Sequence, residues 1–157
     1  VYGGGNVGLM GLLADAALAA GGRVIGVIPQ ALMAKELGHR GVTDLRIVDS
    51  MHTRKALMAD LSDAFIAMPG GFGTFEEFCE VLTWSQLGLH RKACGLLNVA
   101  GFYTPLLQLF NDATKHGFVR GEHRDLVIVE PTIEPLLDRL QNFVPVAAEK
   151  WIERQET

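Results

Sequence analysis

Ala64-Phe65-Ile66-Ala67-Met68-Pro69-Gly70-Gly71-Phe72-Gly73-Thr74-Phe75-Glu76-Glu77 is the stretch whose reading decides the fold. Its first five residues are apolar and too few for a helix, so they read as a strand buried on both faces. A proline and three glycines then break the run. Beyond them Phe75, Phe78, Cys79 and Leu82 recur at i, i+3, i+4 and i+7, the core stripe of a helix. A strand that turns through glycines directly into a helix is the building unit of a parallel sheet.

The same rhythm continues on both sides. Strands are expected at 23–28, 45–49, 64–68, 95–99 and 126–129, and helices at 8–20, 51–61, 73–87, 105–116 and 133–143. This alternation predicts an α/β fold: a Rossmann-like parallel sheet flanked by helices, in three α/β/α layers. At 157 residues one nucleotide-binding domain spanning 1–157 is expected. Val1-Tyr2-Gly3 reads as the end of a strand already entering its turn, so a further strand and helix are expected ahead of it. The charged tail from Pro145 onward is expected to lie on a surface or a partner.

Composition excludes several classes. A net charge of −4, with scattered Lys and Arg, is the wrong balance for nucleic-acid binding. No apolar run approaches the ~18 residues a membrane span needs, and no signal peptide is visible, so a cytoplasmic protein is expected. Cys79 and Cys94 are read as two reduced core thiols. The five histidines show no ligand spacing, and no metal site is expected.

Ligands of parallel sheets sit where strands turn into helices, and three such turns carry unusual residues. Gly3-Gly4-Gly5-Asn6-Val7-Gly8 matches the G-x-G-x-x-G pattern between a strand and a helix. It reads either as a phosphate contact or as a tight turn packed closely on the sheet. A nicotinamide cofactor would want an acid about 20 residues on, at the end of the next strand. That strand ends Val27-Ile28-Pro29-Gln30, and no cofactor is expected.

The second turn, Pro69 to Thr74, lacks the Lys-Ser/Thr ending of a triphosphate loop. Gly70, Gly71 and Gly73 allow close approach to a monophosphate, and Thr74 adds a hydroxyl beside the free N–H groups of the helix. Glu77, Glu80 and Trp84 share another face of that helix. Acids near a helix start favour the dipole, but Glu76 and Glu80 repel at i, i+4. Acids beside an anion seat fit a substrate that develops positive charge. Phe72 and Trp84 either cover a base or pack internally.

The third turn is Asp49-Ser50-Met51-His52-Thr53-Arg54-Lys55, with Ser50 as the expected helix cap. Arg54 extends the apolar stripe of Leu57, Met58 and Leu61, although a cation in a first helical turn opposes the dipole. Such an arginine is expected to meet an anion or a carboxylate. Lys55 is adjacent and also reads as a solvated side chain.

Together these residues resemble the LONELY GUY family, the cytokinin riboside 5′-monophosphate phosphoribohydrolases. The match is carried by Val1–Gly5 with Gly8-Leu9-Met10-Gly11, by Ser50–Lys55, and by Pro69–Thr74 with Glu77. Thr83–Gly88 and 95–107 look like the family as well. The resemblance implies hydrolysis of the N-glycosidic bond of an adenosine 5′-monophosphate-type nucleotide, with Arg54 and Glu77 as the catalytic pair. Gly4, Gly5, Met51, Lys55, Gly70, Gly71, Gly73, Thr74 and Glu80 are the expected substrate-binding positions. It also implies a homodimer with sites shared between subunits. Family members normally open with a further strand, a Cys-Gly-Ser-type loop and a helix, which this sequence does not show. The family is often labelled lysine decarboxylase, yet no pyridoxal-phosphate site is visible. The alternatives are a non-catalytic carrier of a nucleotide or molybdenum cofactor, and a broad nucleotide nucleosidase.

Overall fold

The computed structural model describes residues 1–35 and 37–145. The charged tail beyond Pro145 lies outside the described residues. The described chain falls into two compact units, Val1–Ser62 and the part beginning at Asp63.

In the first unit, β1 (Ile25–Pro29) and β2 (Asp44–Val48) pair in parallel, with Gly26 opposite Leu45. Tyr2 adds a parallel bridge to Gly26 on the other side of β1. Three helices accompany these strands: α1 (Leu9–Ala19), the short α2 (Gln30–Met33) and α3 (Met51–Leu61), the last packed against both β1 and β2. The start of α3 is set by Ser50, whose side chain accepts from the Thr53 amide at 3.1 Å. The short α2 was not expected, because a four-residue helix carries too little periodicity to read.

The second unit holds β3 (Ala64–Ala67), β4 (Ala93–Leu97) and β5 (Val127–Glu130), all parallel, with β4 central. Alternation along the strands makes two apolar layers. Phe65, Ala67, Cys94, Leu96, Val127 and Val129 point to one layer, filled by α4 (Phe72–Gln86) and α5 (Thr104–Lys115). Ala64, Met68, Ala93, Leu97 and Ile128 point to the other, closed by Leu136 and Leu140 of α7 (Ile133–Gln141). Gly95 lets α7 come this close, since a Cβ there would sit 2.9 Å from the Leu136 side chain. This unit is a three-layer α/β/α sandwich; α6 (Gly121–Arg124) is a further short turn of helix before β5.

All five expected strands and five expected helices lie within about two residues of their expected places. Two expectations are corrected. Burial on both faces holds for β1 and β4, but β2 and β3 are only partly buried. Cys79 is exposed, and Val81 packs against the core together with Phe75, Phe78 and Leu82. The stripe of α4 is centred on Phe78, and residue 79 lies about 100° around the helix from it. Among the described residues no helix is long and apolar enough to cross a membrane.

His90 ties the end of α4 to the start of β4. Its Nε2 donates to the Val81 carbonyl at 2.8 Å, and its Nδ1 accepts from the Lys92 amide at 3.1 Å. Burial, with Lys92 adding to it, holds this imidazole below its usual pKa despite the bond to Val81. The neutral ring therefore contributes stability that is complete above the ordinary value near 6.5 and is lost as pH falls below it. Melting curves at pH 7.5 and 5.5 are expected to show a lower Tm at 5.5, with part of that drop removed in His90→Asn.

Candidate active site

The first glycine turn is built by backbone pairing. Tyr2 N–H donates to the Ile25 carbonyl and Val27 N–H to the Tyr2 carbonyl, both at 2.9 Å, fixing Gly3 beside β1. Gly4 has φ +72°, and a Cβ on it would meet the Ile28 Cβ at 3.0 Å and the Val27 backbone at 3.2 Å. Above Gly5 lies the Met10 thioether, 3.3 Å from where its Cβ would be. The next segment closes over the turn: His39 N–H donates to the Gly4 carbonyl at 2.9 Å and Asn6 N–H to the Leu37 carbonyl at 2.8 Å. His39 is buried; its Nδ1 accepts from Gly41 N–H, so Nε2 carries the proton toward Asp15, 2.9 Å away. An open cavity of about 490 Å³ lies here, lined by Asn6, Gly38, His39, Arg40 and Gly41.

Arg54, in the first turn of α3, is 8% exposed. Its Nε donates to the Val27 carbonyl at 3.2 Å, and Nη1 stands 4.0 Å from the Met51 sulfur. The arginine on the apolar stripe is thus held inward, and a side chain reaching for solvent is excluded. Just ahead of the helix, the Asp49 carboxyl is held below its usual pKa chiefly by the Thr53 hydroxyl. His52 and Met51 are exposed, and Lys55 is half-buried.

In the second unit, β3 ends at Ala67 and the chain passes through Met68, Pro69 and Gly70 to Gly71, the N-cap of α4. No side-chain hydrogen bond caps this helix at Gly71, and the Thr74 amide turns back to the Gly71 carbonyl at 3.0 Å. Around a Cβ built on Gly71 or Gly73 nothing lies within 4 Å, whereas one on Gly70 would collide with the Thr74 hydroxyl. The turn therefore presents open backbone at two glycines and folds Thr74 back over the third. Glu77 and Glu80 follow on α4, both half-buried, and Oε2 of Glu80 is shielded from solvent. Glu76 is exposed. Phe72 is 91% exposed, so it does not pack internally; Trp84 is half-buried.

Tyr103 is a residue that sequence reasoning missed. It is 1% exposed, and its hydroxyl donates to the Met68 carbonyl at 2.5 Å, at the entry to the Pro69 turn. The turn after β4 that delivers it is strained. Ala100 sits at φ +51°, a conformation rare for a residue with a side chain. Asn98 holds that turn, accepting from Tyr103 N–H at 2.6 Å through Oδ1. Burial pushes the Tyr103 phenol above its usual pKa, keeping it a donor. Tyr103→Phe is expected to cost about 1–3 kcal/mol, because the Met68 carbonyl loses its partner. Chemical denaturation measures that loss directly. Only the family resemblance of 95–107 covers this tyrosine; nothing local marks its hydroxyl as a support for the turn.

The two cysteines differ. Burial pushes the Cys94 thiol up to about 12, and Cys79 is raised by partial burial and by Glu76. Neither is an activated nucleophile. Among the described residues no group of three or more His, Cys, Asp or Glu is placed to hold a metal ion.

The structure thus brings Gly3, Met10, Met51 and Arg54 together in the first unit, and Met68, Gly70, Thr74 and Tyr103 in the second. The family described as "possible lysine decarboxylase" matches residues 10–140. A rice (Oryza sativa subsp. japonica) protein named probable cytokinin riboside 5′-monophosphate phosphoribohydrolase LOGL1 is 52% identical over 143 residues, 91% of this chain and 64% of its own length. The rice cytokinin riboside 5′-monophosphate phosphoribohydrolase LOG is 50% identical, over 92% of this chain and 60% of its own. An Arabidopsis thaliana relative of the same name, LOG1, is 46% identical over 99% of this chain and 75% of its own. The chain spans less than two thirds of the length of those rice relatives.

Proposed function

The chain belongs to the LONELY GUY family, and on that premise we propose that it hydrolyses the N-glycosidic bond of N6-modified adenosine 5′-monophosphates. The products are the free base and ribose 5-phosphate. The observation that carries this reading is the Pro69–Thr74 turn, whose open glycines lie at the start of a helix bearing Glu77 and Glu80. Uncapped amides suit an anion. Carboxylates one and two turns further suit the positive charge that grows on a sugar as its glycosidic bond breaks. One substrate supplies both: a nucleoside monophosphate.

In the reaction the C1′–N9 bond breaks with its electron pair going to the base, which gains a proton, while water adds its oxygen to C1′. Gly70, Gly71, Gly73 and Thr74 hold the 5′-phosphate, with Gly4 and Gly5 as further candidate contacts. Glu77 stabilises the oxocarbenium-like sugar or orients the water, and Glu80 takes ribose hydroxyls. Arg54 contacts the nucleotide, and Met51 and Lys55 complete the substrate contacts. Preorganised charge of this kind commonly lowers a barrier by several kcal/mol. Support comes from the relatives' shared name and from the buried, fixed setting of Arg54. The protein is further proposed to work as a cytoplasmic homodimer with sites shared between subunits. Decarboxylation has less support, since among the described residues no lysine is buried, and a Schiff-base lysine is activated by desolvation.

Incubation with adenosine monophosphate and with its N6-isopentenyl derivative, followed by chromatography for free base, tests the proposal. Release from the N6-modified substrate supports it. Equal turnover of both points to a broad nucleotide nucleosidase. Release from neither, with a nucleotide retained tightly, points to a carrier.

A further inference from the structure

Gly3 differs from Gly4 and Gly8. Gly4 and Gly8 have φ values of +72° and +65°, where a side chain is strained. Gly3 lies outside that region, so backbone freedom does not require glycine there. Space does. A Cβ on Gly3 would collide with Nη2 of Arg54 and lie 2.9 Å from its Cζ and 3.0 Å from the Met10 methyl.

We propose that Gly3 is a positioning residue for Arg54, and that the guanidinium occupies the volume a side chain at residue 3 would fill. Two constraints meet at this point. The pairing of Tyr2 with Ile25 and Val27 fixes the backbone of Gly3 against β1. Val27 in the same register offers the carbonyl that receives Arg54 Nε. The glycine and the arginine acceptor are therefore set by one stretch of strand, and neither shifts without the other. A methyl group at residue 3 is relieved most easily at the flexible end of the arginine, not at the paired backbone. The consequence is a displaced guanidinium on an intact fold. This also separates Gly3 from a phosphate contact, because the space above its α-carbon is already filled by a side chain of the same chain.

The inference rests on the proposed hydrolase for its catalytic consequence, but not for its structural one. Gly3→Ala, Arg54→Ala and the double variant are compared for kcat and KM on the N6-isopentenyl monophosphate. Gly3→Ala is expected to lower kcat by about 10²-fold, the usual cost of a misplaced group near the chemistry. Added to Arg54→Ala it is expected to change kcat less than about twofold, because the group it displaces is gone. Multiplying effects, or an unchanged kcat in the single variant, would overturn the proposal. If the wild type shows no hydrolysis, the functional reading fails and the positioning is read by nuclear magnetic resonance. A slowly exchanging Arg54 Nε–H signal is expected in the wild type and lost in Gly3→Ala, with the Val27 amide still protected. An unchanged signal contradicts the proposal. Should Gly3→Ala not fold, the double variant is expected to fold; its failure would also count against it.

Discussion

Glu77→Gln is expected to abolish most of the nucleotide hydrolysis while leaving the protein folded. The substitution keeps the size of the side chain and removes its charge. A carboxylate that stabilises a cationic sugar, or aligns the water that attacks it, is commonly worth about 10²–10⁴ in rate. The loss should fall on kcat more than on KM, because the charge it answers appears only in the transition state. Glu77 is half-buried on the first turns of α4, outside the layer built by Phe75, Phe78 and Leu82. The melting temperature should therefore change little. A variant with wild-type kcat would remove Glu77 from the chemistry.

Arg54 should behave differently, with activity and stability falling together. Arg54→Ala strips the Val27 carbonyl of its donor and empties the space beside Gly3. A buried acceptor left without a partner costs about 1–3 kcal/mol. For a chain of this size that is a Tm drop of roughly 2–10 °C. Arg54→Lys keeps the charge but not the planar fork that reaches several partners at once. It should recover part of the stability and little of the rate. A lysine variant with full activity would show that position 54 needs only a charge.

The sequence was most legible where periodicity was strong. The periodicity of 51–61 matches helix α3 to the residue, and residue type and position mark Ser50 as its cap. Arg54 stands out in sequence because an arginine on an apolar stripe conflicts with local rules, and such conflicts mark places where tertiary structure dominates. What the sequence left undecided was distance. The apolar pattern of α4 takes in Cys79, which is exposed, because i+3 and i+4 are equally apolar there and only packing selects between them. In sequence the first glycine turn fits phosphate contact and close packing alike. The structure shows how crowded it is: β1 stands over Gly4, Arg54 over Gly3 and Met10 over Gly5. Tyr103 was invisible because its role is a single long-range bond to Met68, thirty-five residues away in sequence. The Pro69–Thr74 turn reads in sequence as an anion seat, and its backbone is open at Gly71 and Gly73.

The measurement that bears most directly on the central claim is product analysis. The protein is incubated with the 5′-monophosphate of N6-isopentenyladenosine, and free base and ribose 5-phosphate are quantified against time, with Glu77→Gln in parallel. Equimolar release of both products by the wild type, and release at least about 10²-fold slower by the variant, is the predicted result. No free base from the wild type, or equal rates from the two proteins, would contradict it.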